Sequence, residues 1–126
     1  MIPLAAVVIA AVAAFGVGAS RVALGDLDLL EAQEAAQRAA EAAAGHAAEL
    51  VLAGTPRAEV DAAAQSEASA VAAANLARGS ADSLVVTRSS SAQDLVDVTV
   101  VLVASYGGFA GPLHVTVSGM AAVPKP

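Results

Sequence analysis

Residues 95–105 read LVDVTVVLVAS, and the alternation in this run decides the fold. In extended backbone, successive side chains point to opposite faces. Val96, Val98, Val100, Leu102 and Ala104 then share one face, and Asp97 and Thr99 lie on the other. Valine and threonine are stiff at χ1 and fit a pleated surface better than a helix. One apolar side and one polar side predict an antiparallel strand that buries a single face.

Working outward, residues 106–112 (YGGFAGP) carry the glycines and proline of a turn, and residues 113–119 (LHVTVSG) alternate again. Leu113, Val115 and Val117 are expected inward; His114, Thr116 and Ser118 are expected outward. Residues 121–126 read as a tail ended by prolines. On the other side, Ser89–Ser91 reads as a turn or loop and residues 83–88 (SLVVTR) as a shorter strand. The expectation is a meander of three antiparallel strands, near 83–88, 95–105 and 113–119. Three strands with one apolar face need a cover.

The segment before them offers one. Residues 56–78 read PRAEVDAAAQSEASAVAAANLAR. Thr55 suits an N-cap, Pro56 suits the first helical position, and Glu59 and Asp61 sit where the helix dipole favours acids. Gly79 is the expected stop. Residues 21–54 (RVALGDLDLLEAQEAAQRAAEAAAGHAAELVLAG) are also rich in helix formers. Glu34 precedes Arg38 by four positions, the favourable order for a helical ion pair. Gly54 should end that helix near Leu52.

Composition narrows the packing. The chain has 126 residues, 57% of them apolar and 14% charged, which excludes an ordinary disordered chain. Alanine fills 35 positions, while Phe, Tyr and Trp together fill three. An aromatic buries roughly 150–250 Å², so this core must be built from small side chains on closely spaced helices. The net charge of −6 argues against nucleic acid as a partner, which needs a basic face. Without cysteine there is no disulfide frame and no thiolate chemistry.

Met1–Ser20 (MIPLAAVVIAAVAAFGVGAS) holds no charge over twenty residues, enough for a helix of about 30 Å. It reads first as a transmembrane or filament-core helix. A cleaved secretory signal competes through the small residues Val17-Gly18-Ala19, but no Lys or Arg precedes the run. A buried soluble helix is disfavoured because no polar stripe interrupts it. Read as one helix, it continues to Leu52, with Gly16–Gly25 as the place to bend. Met1, Ile2, Leu4, Val7, Val8, Ala11, Val12, Phe15, Gly16 and Gly18 are its expected packing residues, and Gly16 with Ser20 makes a small-xxx-small spacing.

A search for chemistry finds little. His46 has Glu49 three positions on, but two ligands are too few for zinc; both it and His114 read as surface histidines. No serine lies in a Gly-x-Ser-x-Gly elbow. Gly107, Gly108 and Gly111 lack the following Lys-Ser/Thr of a phosphate loop. Asp26, Asp28 and Glu31 read as a solvated collar. No catalytic residue, cofactor, metal or small-molecule substrate is expected.

The order of parts resembles the TadE/TadG-like pilins of tight-adherence (Flp-type) pili, in the type IV pilus superfamily. An apolar run with a proline near its start (Met1-Ile2-Pro3-Leu4, then AAVVIAAVAAFGVG) leads into the alanine-rich segment Asp28–Ala44. A second helix, the valine-rich strands Val96–Val103 and Leu113–Val117, and an Ala/Pro tail follow. Those pilins carry a glutamate five residues after a peptidase cut; position 5 here is Ala5, and the first acid is Asp26. The resemblance implies a pilin-like α+β fold, with residues 1–52 as hydrophobic helix continuing into an amphipathic one and 53–126 as a small head. It also implies a structural subunit or minor pilin. Such a subunit is inserted in the membrane by its first helix, then joined to other subunits in an extracellular filament, its head outside the cytoplasm. The residues alone equally allow a single-pass, membrane-anchored envelope domain that binds a protein partner.

Overall fold

The computed structural model describes residues 10–12, 26–92, 94–108 and 111–125. Its elements are β1 (Ala10–Val12), α1 (Asp26–Leu52), α2 (Arg57–Asn75), β2 (Ser80–Ala92), β3 (Leu95–Gly108) and β4 (Gly111–Pro124). Among the described residues the fold is α+β: two helices and a three-stranded antiparallel meander, with β1 added at one edge in the order β1-β4-β3-β2.

The inward face is the expected one. Val98, Val100, Leu102 and Ala104 of β3, and Val115 and Val117 of β4, are buried. Every strand is longer than its alternation suggested. β2 runs through Ser89–Ser91 instead of turning there, because β3 supplies backbone partners whatever the side chains (Ser89↔Asp97, Ser90↔Val96). β4 runs through the expected tail, pairing Ala121 with Val98 and Val123 with Val96. Tyr106 is not a turn residue: it pairs with Leu113 and is buried at the end of the β3 face.

Gly54 ends the α1 region as expected. It takes φ +80°, and its N–H bonds to the Val51 carbonyl at 3.0 Å. Pro56 is the N-cap of α2 rather than its first residue, and that helix ends at Asn75, before Gly79. The cover also differs from the expectation. α1 lies over β3 and β4, while α2 lies mainly over β2 and against α1. The sequence explains why. In α2 the buried positions Val60, Ala64, Ala68 and Ala72 recur every four residues and form one narrow stripe. In α1 the buried alanines 32, 35, 36, 39, 40, 43, 44 and 47 form a double stripe, wide enough for a helix and a sheet together. One core therefore takes in residues on both sides of position 52.

Small residues set the spacing. A Cβ on Gly119 of β4 would lie 2.6 Å from the backbone carbon and oxygen of Ala36, so α1 rests directly on the strand. Both edges of the meander are held by a glutamine from the helix above. Gln65 of α2 donates to the Leu84 carbonyl (2.7 Å) and accepts from the Val86 N–H (3.1 Å). Gln37 of α1 donates to the Met120 carbonyl (2.9 Å) and accepts from the Met120 N–H (3.2 Å). Each side-chain amide does what a neighbouring peptide group would do, and on β4 it acts at Met120, where β1 also pairs.

The single helix expected over Met1–Leu52 is corrected where the structure describes it. Ala10–Val12 is extended and pairs with Ala122, Ala121 and Met120 of β4, so no single helix runs from Met1 to Leu52; α1 spans Asp26–Leu52. A free strand edge offers hydrogen bonds to any extended segment, and Val12 is β-branched. The rest of Met1–Gly25 lies outside the described residues.

Candidate functional site

Of the ten residues expected to pack the first helix, Ala11 and Val12 lie in β1. Met1, Ile2, Leu4, Val7, Val8, Phe15, Gly16 and Gly18 lie outside the described residues. Among the described residues no helix is long and apolar enough to cross a membrane. The polar side chains form two clusters that sequence reading did not assemble.

The first joins the start of α1 to the ends of α2 and β3. Tyr106 donates its hydroxyl to Glu31 Oε1 at 3.0 Å. The same carboxylate accepts the backbone N–H of Arg78 (3.2 Å to each oxygen) and of Gly79 (3.2 Å). Asp28 Oδ1 lies 3.1 Å from Arg78 Nε, an ion contact without hydrogen-bond geometry. Burial, then the hydrogen bond to Glu31 and its charge, hold the Tyr106 hydroxyl well above the ordinary tyrosine range. Asp28 and Glu31 are thus not the solvated collar expected of them. They fasten the α2–β2 connection, and the ring of Tyr106 sits where a Cβ on Gly79 would be, at 2.6 Å.

The second cluster lies on the sheet face away from the helices. Asp82 is the extra residue of a β-bulge: Ala81 pairs with Ala104 and Ser83 with Val103, which leaves Asp82 unpaired between them. Its Oδ1 accepts from Ser105 Oγ (2.9 Å), and its Oδ2 lies 2.8 Å from His114 Nδ1. Ser80 Oγ is 3.2 Å from Ser105 Oγ. The Ser105 bond, then the His114 bond, hold the Asp82 carboxyl below its ordinary value. Aspartate on Nδ1 is half of a catalytic dyad. Here the hydroxyl bonds the carboxylate rather than the imidazole, so the histidine is not placed to take the serine proton. The His114 side chain is 57% exposed, so the imidazole is not shielded from water. The cluster ties β2, β3 and β4 together at the bulge.

His46 Nδ1 stands 4.0 Å from Glu49 Oε1. Among the described residues no three histidines or carboxylates gather as a metal site. The chain was compared with protein-family models, curated proteins and solved structures, and nothing matches it.

Proposed function

We propose that the protein is a structural, pilin-like subunit of an exported filament, assembling through its apolar N-terminal segment. The observation that carries this reading is the uncharged run Met1–Ser20 placed in sequence just ahead of α1. Twenty uncharged, mostly apolar residues are costly in water, at roughly 25 cal/mol per Å² of apolar surface. Lipid relieves that cost, and so does a core of like helices. Two features of the head fit the reading. α1 seats an alanine face on an antiparallel sheet, which makes the head one packed unit. Its polar clusters fasten elements together.

In this reading the β1 pairing is what Ala10–Val12 does when no lipid or neighbour is present. Three residue pairs form a small ladder, and Gln37 already bonds both the N–H and the carbonyl of Met120. Releasing β1 therefore strands few polar groups.

The test is Ala11→Arg in the full chain, with sheared surface filaments and the remaining envelope assayed separately. An arginine at the centre of a spanning helix costs roughly 2.5–3.5 kcal/mol on insertion scales. The unaltered chain should be present in the filaments and should crosslink to copies or sister subunits, and the variant should be missing from them. Absence of the unaltered chain from filaments, with crosslinks only to an unrelated envelope protein, would establish the anchored-domain reading instead.

A further inference from the structure

The first turn of α2, the end of β2 and the start of β3 enclose a cleft of about 210 Å³, lined by Arg57, Arg88, Ser89, Ser90 and Val96. Beside it, between α1 and the sheet, lies an apolar crevice of about 60 Å³ whose walls include Val51, Val98 and Val123. Arg88 and Val96 line both, so the two spaces meet across one arginine and one valine.

The charge in the cleft is unbalanced. Arg88 Nε donates to Asp61 Oδ1 at 2.7 Å, and Arg57 Nε stands 3.8 Å from Asp61 Oδ2. One carboxylate thus serves two guanidiniums, and the cluster keeps a net positive charge. Arg88 is only 15% exposed, which holds its guanidinium in place and weakens solvent screening. The N-terminus of α2 has no side-chain cap, and its dipole adds to the positive potential. The acids Glu59 and Asp94 are close in sequence, but neither lines the cleft. In a chain of net charge −6, a concave site with two arginines departs from the overall balance.

We propose that this recess binds an aliphatic carboxylate. The carboxylate is held by Arg57, Arg88 and the hydroxyl of Ser90, which shares the face of Arg88 and Val96, and a short alkyl group enters the crevice against Val51 and Val98. A single net charge suits a monoanion. A planar carboxylate matches the guanidinium fork, and an apolar crevice beside the cation selects for a tail. The same chemistry is offered by a free short branched acid and by the C-terminal residue of a peptide that ends in valine. The inference does not rest on the filament reading.

The test is a titration of the ¹⁵N-labelled full chain, in nonionic detergent, followed by amide chemical shifts. The probes are 3-methylbutanoate, acetyl-Ala-Val with a free C-terminus, and the same peptide amidated. Saturable shifts confined to Val51, Arg57, Arg88–Ser90 and Val96 are expected with at least one of the two free acids, and the acid that binds more tightly identifies the source. A charge-assisted hydrogen bond contributes about 1.5–3 kcal/mol, so the amide should bind roughly tenfold more weakly or worse. Arg57→Gln should weaken binding several-fold while leaving the rest of the spectrum in place, because that side chain is 83% exposed. Arg38→Gln, whose side chain pairs with Glu34 on α1, should change nothing. Absence of saturable shifts with both acids, equal binding of the amide, or unchanged binding in Arg57→Gln would each overturn the proposal.

Discussion

Tyr106 is the sole tyrosine of the chain, and it reports on the place where three elements meet. Burial and the Glu31 carboxylate favour its neutral form in the folded protein. A group whose folded pKa lies above its unfolded value contributes stability that is fully present below the unfolded value, here 10.0. That contribution is lost as pH rises through the folded value. Thermal stability should therefore fall at strongly alkaline pH, and Tyr106→Phe should flatten that part of the profile. At neutral pH the same variant loses one charge-assisted hydrogen bond, about 1.5–3 kcal/mol. Ultraviolet absorbance titration reads this hydroxyl alone, and ionisation at the free-tyrosine pH in the folded chain would sink the assignment. None of this was legible in the sequence. Tyr106 and Glu31 are 75 positions apart, and YGGFAGP has turn composition. Asp82 and His114, 32 apart, were hidden likewise, since the bulge that aims Asp82 exists only once β2 and β3 are paired.

The glutamines that hold the sheet edges act through elements rather than side-chain neighbours. Gln65→Ala removes both bonds of that side chain to β2 and leaves the Arg88–Asp61 bond in place. At a typical net value of about 0.5–1.5 kcal/mol per hydrogen bond, the loss should lower the urea midpoint and speed amide exchange at Val86. An unchanged exchange rate there would mean that water already serves the edge equally well. Local signals fixed much at this scale. Gly54 and Thr55-Pro56 punctuate the helices, Glu34 and Arg38 pair at 3.3 Å, and the inward valines follow from alternation. The strand ends were not legible, because Ser89–Ser91 and Ala121–Ala122 carry no strand preference of their own and are recruited by their partners. Ala10–Val12 was misread for a related reason. An apolar run of alanine and valine has no period to tell strand from helix, and an open edge on β4 decided between them. The carboxylate cleft escaped as well, since its arginines meet over Asp61, which lies 27 positions from Arg88.

Taken whole, the molecule is held by many small contacts in place of a few large ones. Thirteen of its 22 buried apolar residues, among those described, are alanine. A methyl group removes little surface from water, so each helix gains its stability by close approach. The alanine stripes have a thermal consequence as well. The heat-capacity change of unfolding follows apolar surface exposed, and an ordinary domain gives about 12–15 cal/mol/K per residue. A core this poor in large side chains should fall below that range. Calorimetric unfolding enthalpies collected at several pH values and plotted against midpoint temperature would give the slope, and a value within or above the ordinary range would count against an alanine-dominated core. With a small slope the curve of stability against temperature is broad and shallow. Residues 26–125 would then hold nearly the same margin in the cold as in warmth, so that cooling would cost this small-residue core little of what holds it folded.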